Sequence, residues 1–158
     1  LAVGAMAVLA HAVGALLRLE VLLVAVVDQR IEPVHAFEHD VAAALPGSGC
    51  RFSLGDAATL SPMAPCDCIT MGEVLEHVDR PREVLAGVRD RLADQGRAFV
   101  TTCTNCPAID HVHLYESMAA VREDLAGCGL AIVSERVLPV RIVPAKESCN
   151  YAAWLRKM

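Results

Sequence analysis

The sequence has little of three features that mark particular classes of protein: aromatic residues, clustered positive charge and an unbroken apolar segment. Aromatic residues make up 4% of the chain, and the net charge is −5 without any run of Lys or Arg. Proteins that bind nucleic acids or anionic membranes present a basic surface, so neither partner is expected. The composition therefore favours a small-molecule substrate.

No apolar run is long enough to predict a transmembrane helix. Residues 1–27 are strongly apolar, but His11, Arg18 and Glu20 interrupt them. About 17 apolar-leaning residues remain, which is the lower limit for a span. A signal peptide is not expected, because no basic segment precedes the run. The sequence also lacks an initiator Met, so we expect that it is not a complete, unprocessed translation product.

The cysteines form neither an even set nor a repeated metal-binding motif. Seven cysteines in a chain of this length predict a reducing, cytoplasmic location instead of a secreted disulfide framework. Cys103-Thr104-Asn105-Cys106 is a C-x-x-C pair, for which a zinc site or a redox pair is the alternative to a structural role. The absence of a second C-x-x-C and the position of the pair after a strand disfavour both alternatives.

Aliphatic residues are abundant and follow an alternation of strands and helices. Hydrophobic residues make up 54% and charged residues 21% of 158 residues, which predicts one globular domain over residues 1–158. Strands are predicted at Leu22–Val27, Cys50–Leu54, Cys66–Met71, Arg97–Thr102, Leu130–Val137 and Asn150–Leu155. Helices are predicted over about Ala5–Leu19, Pro33–Leu45, Pro81–Ala93 and Ser117–Gly127.

The order of these elements predicts the topology of the sheet. Strands that alternate with helices are typical of a doubly wound, mostly parallel Rossmann-like α/β sheet. The last two strands follow each other without a helix, so we expect an antiparallel C-terminal edge. Residues 1–4 have the pattern of a strand end, and the first strand is therefore expected to be largely missing.

Polar residues follow four successive predicted strands. Asp28, Asp56, the segment Glu73–His77 and the loop Asn105–His113 occupy these positions. Ligands of open α/β sheets bind beyond the carboxyl ends of the strands. Two carboxylates and an imidazole within Glu73–His77 therefore predict a site, and the alternative is a solvated loop that leads into a helix cap.

The ordered blocks resemble class I S-adenosylmethionine-dependent methyltransferases from about Val21 to the end of the chain. The best-matching blocks are Gly55–Ala57, Gly72–Val78 and Gly96–Thr102. The resemblance implies methyltransferase activity with S-adenosylmethionine as cofactor. It places Asp28 at the ribose hydroxyls, Asp56 and Ala57 at the adenine, Met71 and Gly72 under the methionine portion, and Gly4 in the glycine-rich turn.

The front of the chain departs from the family pattern. The glycine-rich turn keeps Gly4, but Ala2 stands at the acidic position, and Met6 and Val8 stand where later glycines fall. Either the chain lacks residues of a longer protein, or the cofactor site is degraded and the domain is a catalytically silent binding or scaffold partner. Removal of a central strand would expose its neighbours' edges, so the incomplete chain is the preferred interpretation.

The Glu73-x-x-Glu76-His77 motif has the spacing found in a subset of these enzymes, including ubiquinone-pathway O-methyltransferases. In that subset it binds a divalent ion, so the resemblance implies that Glu73, Glu76, His77 and His111 hold Mg²⁺, Mn²⁺ or Zn²⁺. The ion would lower the pKa of a substrate hydroxyl. The alternatives are metal-free catalysis, with His77 or His111 as general base and Glu76 beside them, and a purely structural role.

The expected function is methyl transfer from S-adenosylmethionine to a small molecule, with oxygen favoured over nitrogen and carbon as the acceptor. A small-RNA 2′-O-methyltransferase shares the acidic motif, but the chain lacks a basic surface. Tyr115 and the residues around Met118 are expected to form either a substrate wall or part of the core. His113 should face away from His111, because the two alternate along an extended segment.

Overall fold

Strands dominate the part of the chain that the structure describes. A computed structural model of the protein describes residues 6–13, 20–27, 51–56, 65–140 and 148–158. The strands are β1 (Met6–Val13), β2 (Glu20–Val27), β3 (Arg51–Asp56), β4 (Cys66–Gly72), β5 (Leu92–Thr104), β6 (Leu130–Val140) and β7 (Ser148–Lys157). The α-helices are α1 (Pro81–Arg91) and α2 (Met118–Gly127), and a 3₁₀ turn spans Leu75–His77.

The described strands form one mixed sheet in the order β3-β1-β2-β4-β5-β7-β6. β2, β4 and β5 are parallel, whereas β7 is antiparallel to both β5 and β6. This arrangement confirms the Rossmann-like α/β sheet and its antiparallel C-terminal edge. Parallel pairing is confined to β2, β4 and β5 among the described strands, because β1 runs opposite to its neighbours β2 and β3.

The helix expected over Ala5–Leu19 is wrong over Met6–Val13, which forms β1. A short, uncharged run that mixes Ala, Val and Leu is compatible with a buried helix or a buried strand, and periodicity alone does not separate them. Pairing with a strand on each side decides the conformation, and that contact is not visible in local sequence. The strand end expected at residues 1–4 and the helix expected at Pro33–Leu45 lie outside the described residues.

The two α-helices begin where their capping residues predict. Pro81 takes the first position of α1, where its fixed φ suits a helix and its missing N–H costs nothing. Ser117 caps α2, since its Oγ accepts a hydrogen bond from the Ala120 N–H at 3.2 Å. Gly129, just after α2, has a φ of 77°, which favours glycine.

Strand β5 extends beyond its predicted limits in both directions. The Asp94–Gly96 segment, which predicts a helix stop, lies inside the strand. A Cβ at Gly96 would come within 2.8 Å of the Cys66 carbonyl oxygen, so Gly96 allows β4 and β5 to approach closely. The glycine therefore serves strand packing, and α1 ends before the expected stop, at Arg91.

Among the described residues, the core lies on one face of the sheet, beneath α1 and α2. Side chains of β4, β5 and β7 on this face pack against buried residues of both helices, among them Ile69, Met71, Val100, Leu155, Leu85 and Leu125. Each fully buried aliphatic side chain stabilises the fold by about 2 kcal/mol. This packing fixes the ends of β4 and β5, from which the polar loops emerge.

The register brings the carboxyl ends of β2, β3, β4 and β5 to one edge of the sheet. Met6 pairs with both Val27 and Asp56, the last residues of β2 and β3. Gly72, the last residue of β4, pairs with Thr101 of β5. The backbone therefore places the four strand ends along one edge of the sheet, as the sequence predicts. Among the described residues, no helix has the length and apolarity needed to cross a membrane.

Candidate active site

The turn after β4 is clamped to β5 by Glu73. Its φ of 51° lies in the left-handed region that residues other than glycine rarely adopt. The Glu73 N–H donates to the Thr101 carbonyl oxygen at 3.2 Å and to Thr101 Oγ1 at 3.1 Å, and this hydroxyl donates to Glu73 Oε1 at 2.6 Å. Strained backbone persists where its surroundings determine it, and such positions cluster at functional sites.

Glu76 is a buried carboxyl in the 3₁₀ turn. Its side chain is 2% exposed, and its Oε2 accepts a hydrogen bond from Thr102 Oγ1 at 2.9 Å. Burial raises the pKa of Glu76 to about 7, and the nearby Glu73 carboxyl adds to the rise, against the lowering effect of hydrogen bonds from the Glu76 backbone and Thr102. A carboxyl with this pKa can exchange a proton near neutral pH, as a general base must.

The loop between β5 and α2 folds back onto Glu76. It starts at Asn105, a second left-handed residue with φ 51°, whose N–H donates to the Tyr115 carbonyl oxygen at 2.9 Å. The N–H groups of Val112 and His113 both donate to the Glu76 carbonyl oxygen, at 2.9 and 3.0 Å. The two polar strand ends predicted from the sequence are therefore joined by direct hydrogen bonds.

The histidines of the two loops meet at this junction. The His77 and His111 rings lie 4.9 Å apart, edge to face. His111 Nδ1 lies 2.6 Å from the Cys106 carbonyl oxygen, and His77 Nδ1 lies 3.1 Å from that of Asp110. A carbonyl oxygen can only accept, so in each neutral ring Nδ1 carries the hydrogen and Nε2 has a free lone pair.

Two clusters of potential metal ligands occur among the described residues. One consists of Glu76, Cys103 and His111, and the other of His77, Asp110 and His111, with ligand atoms within 4.8 Å of one another in each. Neither cluster contains Glu73, whose carboxylate is bonded to Thr101. The structure thus brings both Glu76 and His77 close to His111. It adds Cys103 and Asp110, which were not predicted as ligands.

Local spacing does not identify Asp110 as a ligand, and it raises Cys103 only as part of the disfavoured C-x-x-C zinc site. Cys103 precedes Thr104, the last residue of β5. Together with Cys106, three positions later, it forms the C-x-x-C pattern. Burial raises the pKa of Cys103 to about 12, and the negative charge of Glu76 contributes. A redox-active cysteine needs a lowered pKa, so the redox interpretation of the pair has no support here.

The predicted cofactor residues are described in part. Gly4, Asp28 and Ala57 lie outside the described residues, although Asp28 directly follows the end of β2. Asp56 is the last residue of β3, and Gly72 is exposed at the end of β4. The Met71 side chain is fully buried in the core, so its backbone is the part that lies at the edge of the sheet.

Tyr115 belongs to the core and does not form a substrate wall. Its side chain is 3% exposed, and its hydroxyl donates to Asp124 Oδ2 at 3.1 Å. His113 packs its ring 4.5 Å from that of Tyr115 and is in neither ligand cluster. Its separation from His111 agrees with the alternation expected along the loop.

A comparison with protein families identifies the chain. The family model described as a methyltransferase domain matches residues 8–135. The chain belongs to this methyltransferase family. None of the curated proteins matches the sequence at a significant level.

Solved structures of similar fold include methyltransferases and a cyclase. The mitomycin 7-O-methyltransferase MmcR is 16% identical with a TM-score of 0.59, and the match covers 80% of this chain and 40% of that one. The 1,6-didemethyltoxoflavin-N1-methyltransferase of Burkholderia thailandensis is 18% identical with a TM-score of 0.61, covering 81% and 58%. The cyclase SpnF is 16% identical with a TM-score of 0.62, covering 77% and 61%.

These matches show that the chain shares their fold. This methyltransferase chain spans less than two thirds of the length of each of these three proteins.

Proposed function

We propose that the chain forms the catalytic region of an S-adenosylmethionine-dependent methyltransferase that acts on a small molecule, with oxygen as the favoured acceptor. One observation carries the proposal. A buried carboxyl with a pKa of about 7 and two imidazoles with free Nε2 atoms converge at the edge that gathers the carboxyl ends of β2, β3, β4 and β5. Membership of the methyltransferase family supports the reaction type. A cytoplasmic location, inferred from the cysteine content, is part of the proposal.

The described strand ends fit an adenosyl cofactor. Gly72 is exposed and has no side chain to obstruct a ligand, and the ends of β2 and β3 lie along the same edge. A carboxylate presents two acceptors to a vicinal diol, so Asp28 is the proposed partner of the ribose. Asp56 and Ala57 are proposed to bind the adenine, and the Met71-Gly72 backbone is proposed to bind the methionine portion. Gly4 is proposed to lie in the turn beside the cofactor.

When bound, S-adenosylmethionine supplies an electrophilic methyl group on its sulfonium. The residues of this chain would position the acceptor and remove its proton. His111 is the first candidate for general base, because the Cys106 carbonyl orients its ring and leaves Nε2 free. His77 and the Glu76 carboxyl are close enough to His111 to receive or relay the proton. A hydroxyl needs such a base more than an amine does, which favours oxygen as acceptor.

Metal assistance is a second part of the proposal. Glu76, His77 and His111 would supply the ligands, and Glu73 would join them only by giving up its hydrogen bond with Thr101. Mg²⁺ is the ion that the motif first suggests. The donor set fits a divalent ion, because Glu76 Oε1 is buried and has no hydrogen-bond partner among the described residues. The ion would lower the pKa of a substrate hydroxyl.

A catalytically silent methyltransferase-like domain is the alternative function. The resemblance favours it by placing Met6 and Val8 at glycine positions of the cofactor turn, but both residues lie in strand β1 and not in a turn. The discriminating observation is cofactor binding, since a degraded turn would not admit the ligand.

Isothermal titration of the protein with S-adenosylmethionine and S-adenosylhomocysteine, with and without Mg²⁺, tests the proposal. We expect a Kd of roughly 1–100 µM, in the range common for enzyme substrates. Asp28→Ala should weaken binding by about tenfold or more through loss of the ribose contact. Asp94→Ala, at the opposite end of β5, should leave binding unchanged. Absence of binding by either ligand would refute the enzyme and favour the silent domain.

A further inference from the structure

A thiol stands among the carboxyl and imidazole groups at the end of β5. The ligand atoms of Glu76, Cys103 and His111 all lie within 4.8 Å of one another. Ligand atoms around one tetrahedral zinc ion are roughly 3.3–3.8 Å apart, given bond lengths near 2.0–2.3 Å. Small side-chain rotations would therefore bring the three atoms onto one ion.

Each member of this cluster is held by its own contacts. Thr102 donates to the Oε2 atom of Glu76, which leaves Oε1 for another partner. Cys103 is fixed by pairing with Asn150 of β7, and His111 by its bond to the Cys106 carbonyl oxygen. Contacts of this kind orient metal ligands in proteins.

Glu76 supplies an independent sign that a ligand belongs here. Its side chain is 2% exposed, and Oε1 has no hydrogen-bond partner among the described residues. A buried carboxylate oxygen without a donor is costly, so it must be satisfied by a proton or by a cation. The nearby Glu73 carboxyl cannot satisfy it unless one of the two groups is protonated.

We propose that Glu76, Cys103 and His111 bind a zinc-type divalent ion, with Cys103 as thiolate and a fourth position left for an oxygen ligand. Mg²⁺ takes oxygen ligands, whereas a set of thiolate, imidazole and carboxylate suits Zn²⁺. Binding breaks the S–H bond of Cys103 and, where Glu76 is protonated, its O–H bond, and the protons are released to solvent. The ion thus replaces the proton as the partner of the buried groups.

This assignment differs from both patterns that the sequence suggests. The Glu73 carboxylate accepts a hydrogen bond from the Thr101 hydroxyl and belongs to neither cluster. The acidic motif therefore contributes Glu76 as its only ligand to the proposed zinc site. Cys106 contributes its carbonyl oxygen as a support for His111, so the C-x-x-C pair contributes Cys103 alone. The second cluster is more open to solvent, because the His77 and Asp110 side chains are 18% and 50% exposed.

A role for this ion in methyl transfer rests on the proposed function, but ion binding does not. The test therefore uses the chelator-treated protein without cofactor and follows Co²⁺ binding by absorbance. We expect one equivalent to bind with a thiolate-to-cobalt charge-transfer band, and Zn²⁺ to displace it. Cys103→Ser should abolish the band and weaken Zn²⁺ binding by about 100-fold. Cys68→Ser, a half-buried cysteine near the start of β4 and outside both clusters, is the matched control and should keep both.

X-ray absorption at the zinc edge of the unaltered protein provides a measurement that does not depend on the folding of a variant. One sulfur and at least two nitrogen or oxygen neighbours per zinc ion would support the site. Two sulfurs would assign the ion to the C-x-x-C pair and overturn the proposal, and no sulfur would overturn it as well. Failure to bind Co²⁺ and Zn²⁺ would overturn the proposal and leave a proton as the partner of Glu76. A thiolate band that persists in Cys103→Ser would assign the ion to another cysteine and would overturn the proposal as well.

Discussion

Replacement of Glu76 by Gln should stabilise the protein at pH 8 and leave its stability almost unchanged at pH 4. Burial raises the pKa of Glu76 from 4.5 to about 7, so between these values the folded state holds a proton that the unfolded state has lost. The favourable contribution of the protonated carboxyl is complete below pH 4.5 and disappears as the pH rises through 7.

The magnitude follows from the same shift. One pKa unit corresponds to about 1.4 kcal/mol, so ionisation of Glu76 costs the folded protein about 3 kcal/mol at pH 8. Water around the exposed Glu73 carboxyl screens part of the repulsion, and we expect a net effect of about 2 kcal/mol. The glutamine side chain of the Glu76→Gln variant would mimic the protonated acid, because its amide oxygen accepts from Thr102 and its NH₂ donates toward Glu73.

Urea denaturation in the presence of a chelator measures this effect. The free energy of unfolding of the unaltered protein should fall between pH 5 and pH 8 more steeply than that of Glu76→Gln. Glu123→Gln, an exposed change on α2, is the matched control and should follow the unaltered protein. Identical pH profiles for Glu76→Gln and the unaltered protein, or a less stable variant at pH 8, would refute the reasoning.

Three further changes probe the elements that position the site. Thr102→Val removes the hydroxyl that favours the ionised form of Glu76, so the midpoint of the pH-dependent loss of stability should move to higher pH; a shift to lower pH would contradict this. Gly96→Ala should cost about 2 kcal/mol or more in urea denaturation, because its Cβ would come within 2.8 Å of the Cys66 carbonyl oxygen; a neutral effect would show that β4 can shift. Ser117→Ala should lower the free energy of unfolding by about 1 kcal/mol, measured by thermal melting, because it removes the cap of α2. Ser117→Asp should keep the stability of the unaltered protein, and a loss as large as that of Ser117→Ala would disprove the capping role.

The elements that the sequence predicts well are those with local signals. Pro81 and Ser117 mark helix starts through backbone chemistry that acts within one turn, and both starts are confirmed. The antiparallel pair β6 and β7 is predicted because two strand patterns follow each other without a helix between them. The placement of Asp56 and Glu73 at one edge follows from strand order alone, and the register confirms it for the backbone.

The parts that the sequence does not predict depend on contacts between distant segments. Residues 6–13 become a strand because β2 and β3 pair with them on both sides, which no window of sequence contains. Cys103 joins Glu76 and His111 because the loop after β5 folds back and donates two N–H groups to the Glu76 carbonyl oxygen. Spacing suggested Glu73 as a ligand, but its hydrogen bond to Thr101 is a property of the folded sheet.

A crystal structure of the protein with S-adenosylhomocysteine would test the central claim most directly. We expect the homocysteine portion to lie along the Gly72-Glu73 backbone, the sulfur to face Glu76 and His111, and the adenosine to extend toward Asp56. A ligand bound away from the ends of β2, β3 and β4, or with its sulfur directed away from the Glu76–His111 junction, would contradict the assignment of this edge as a methyl-transfer site.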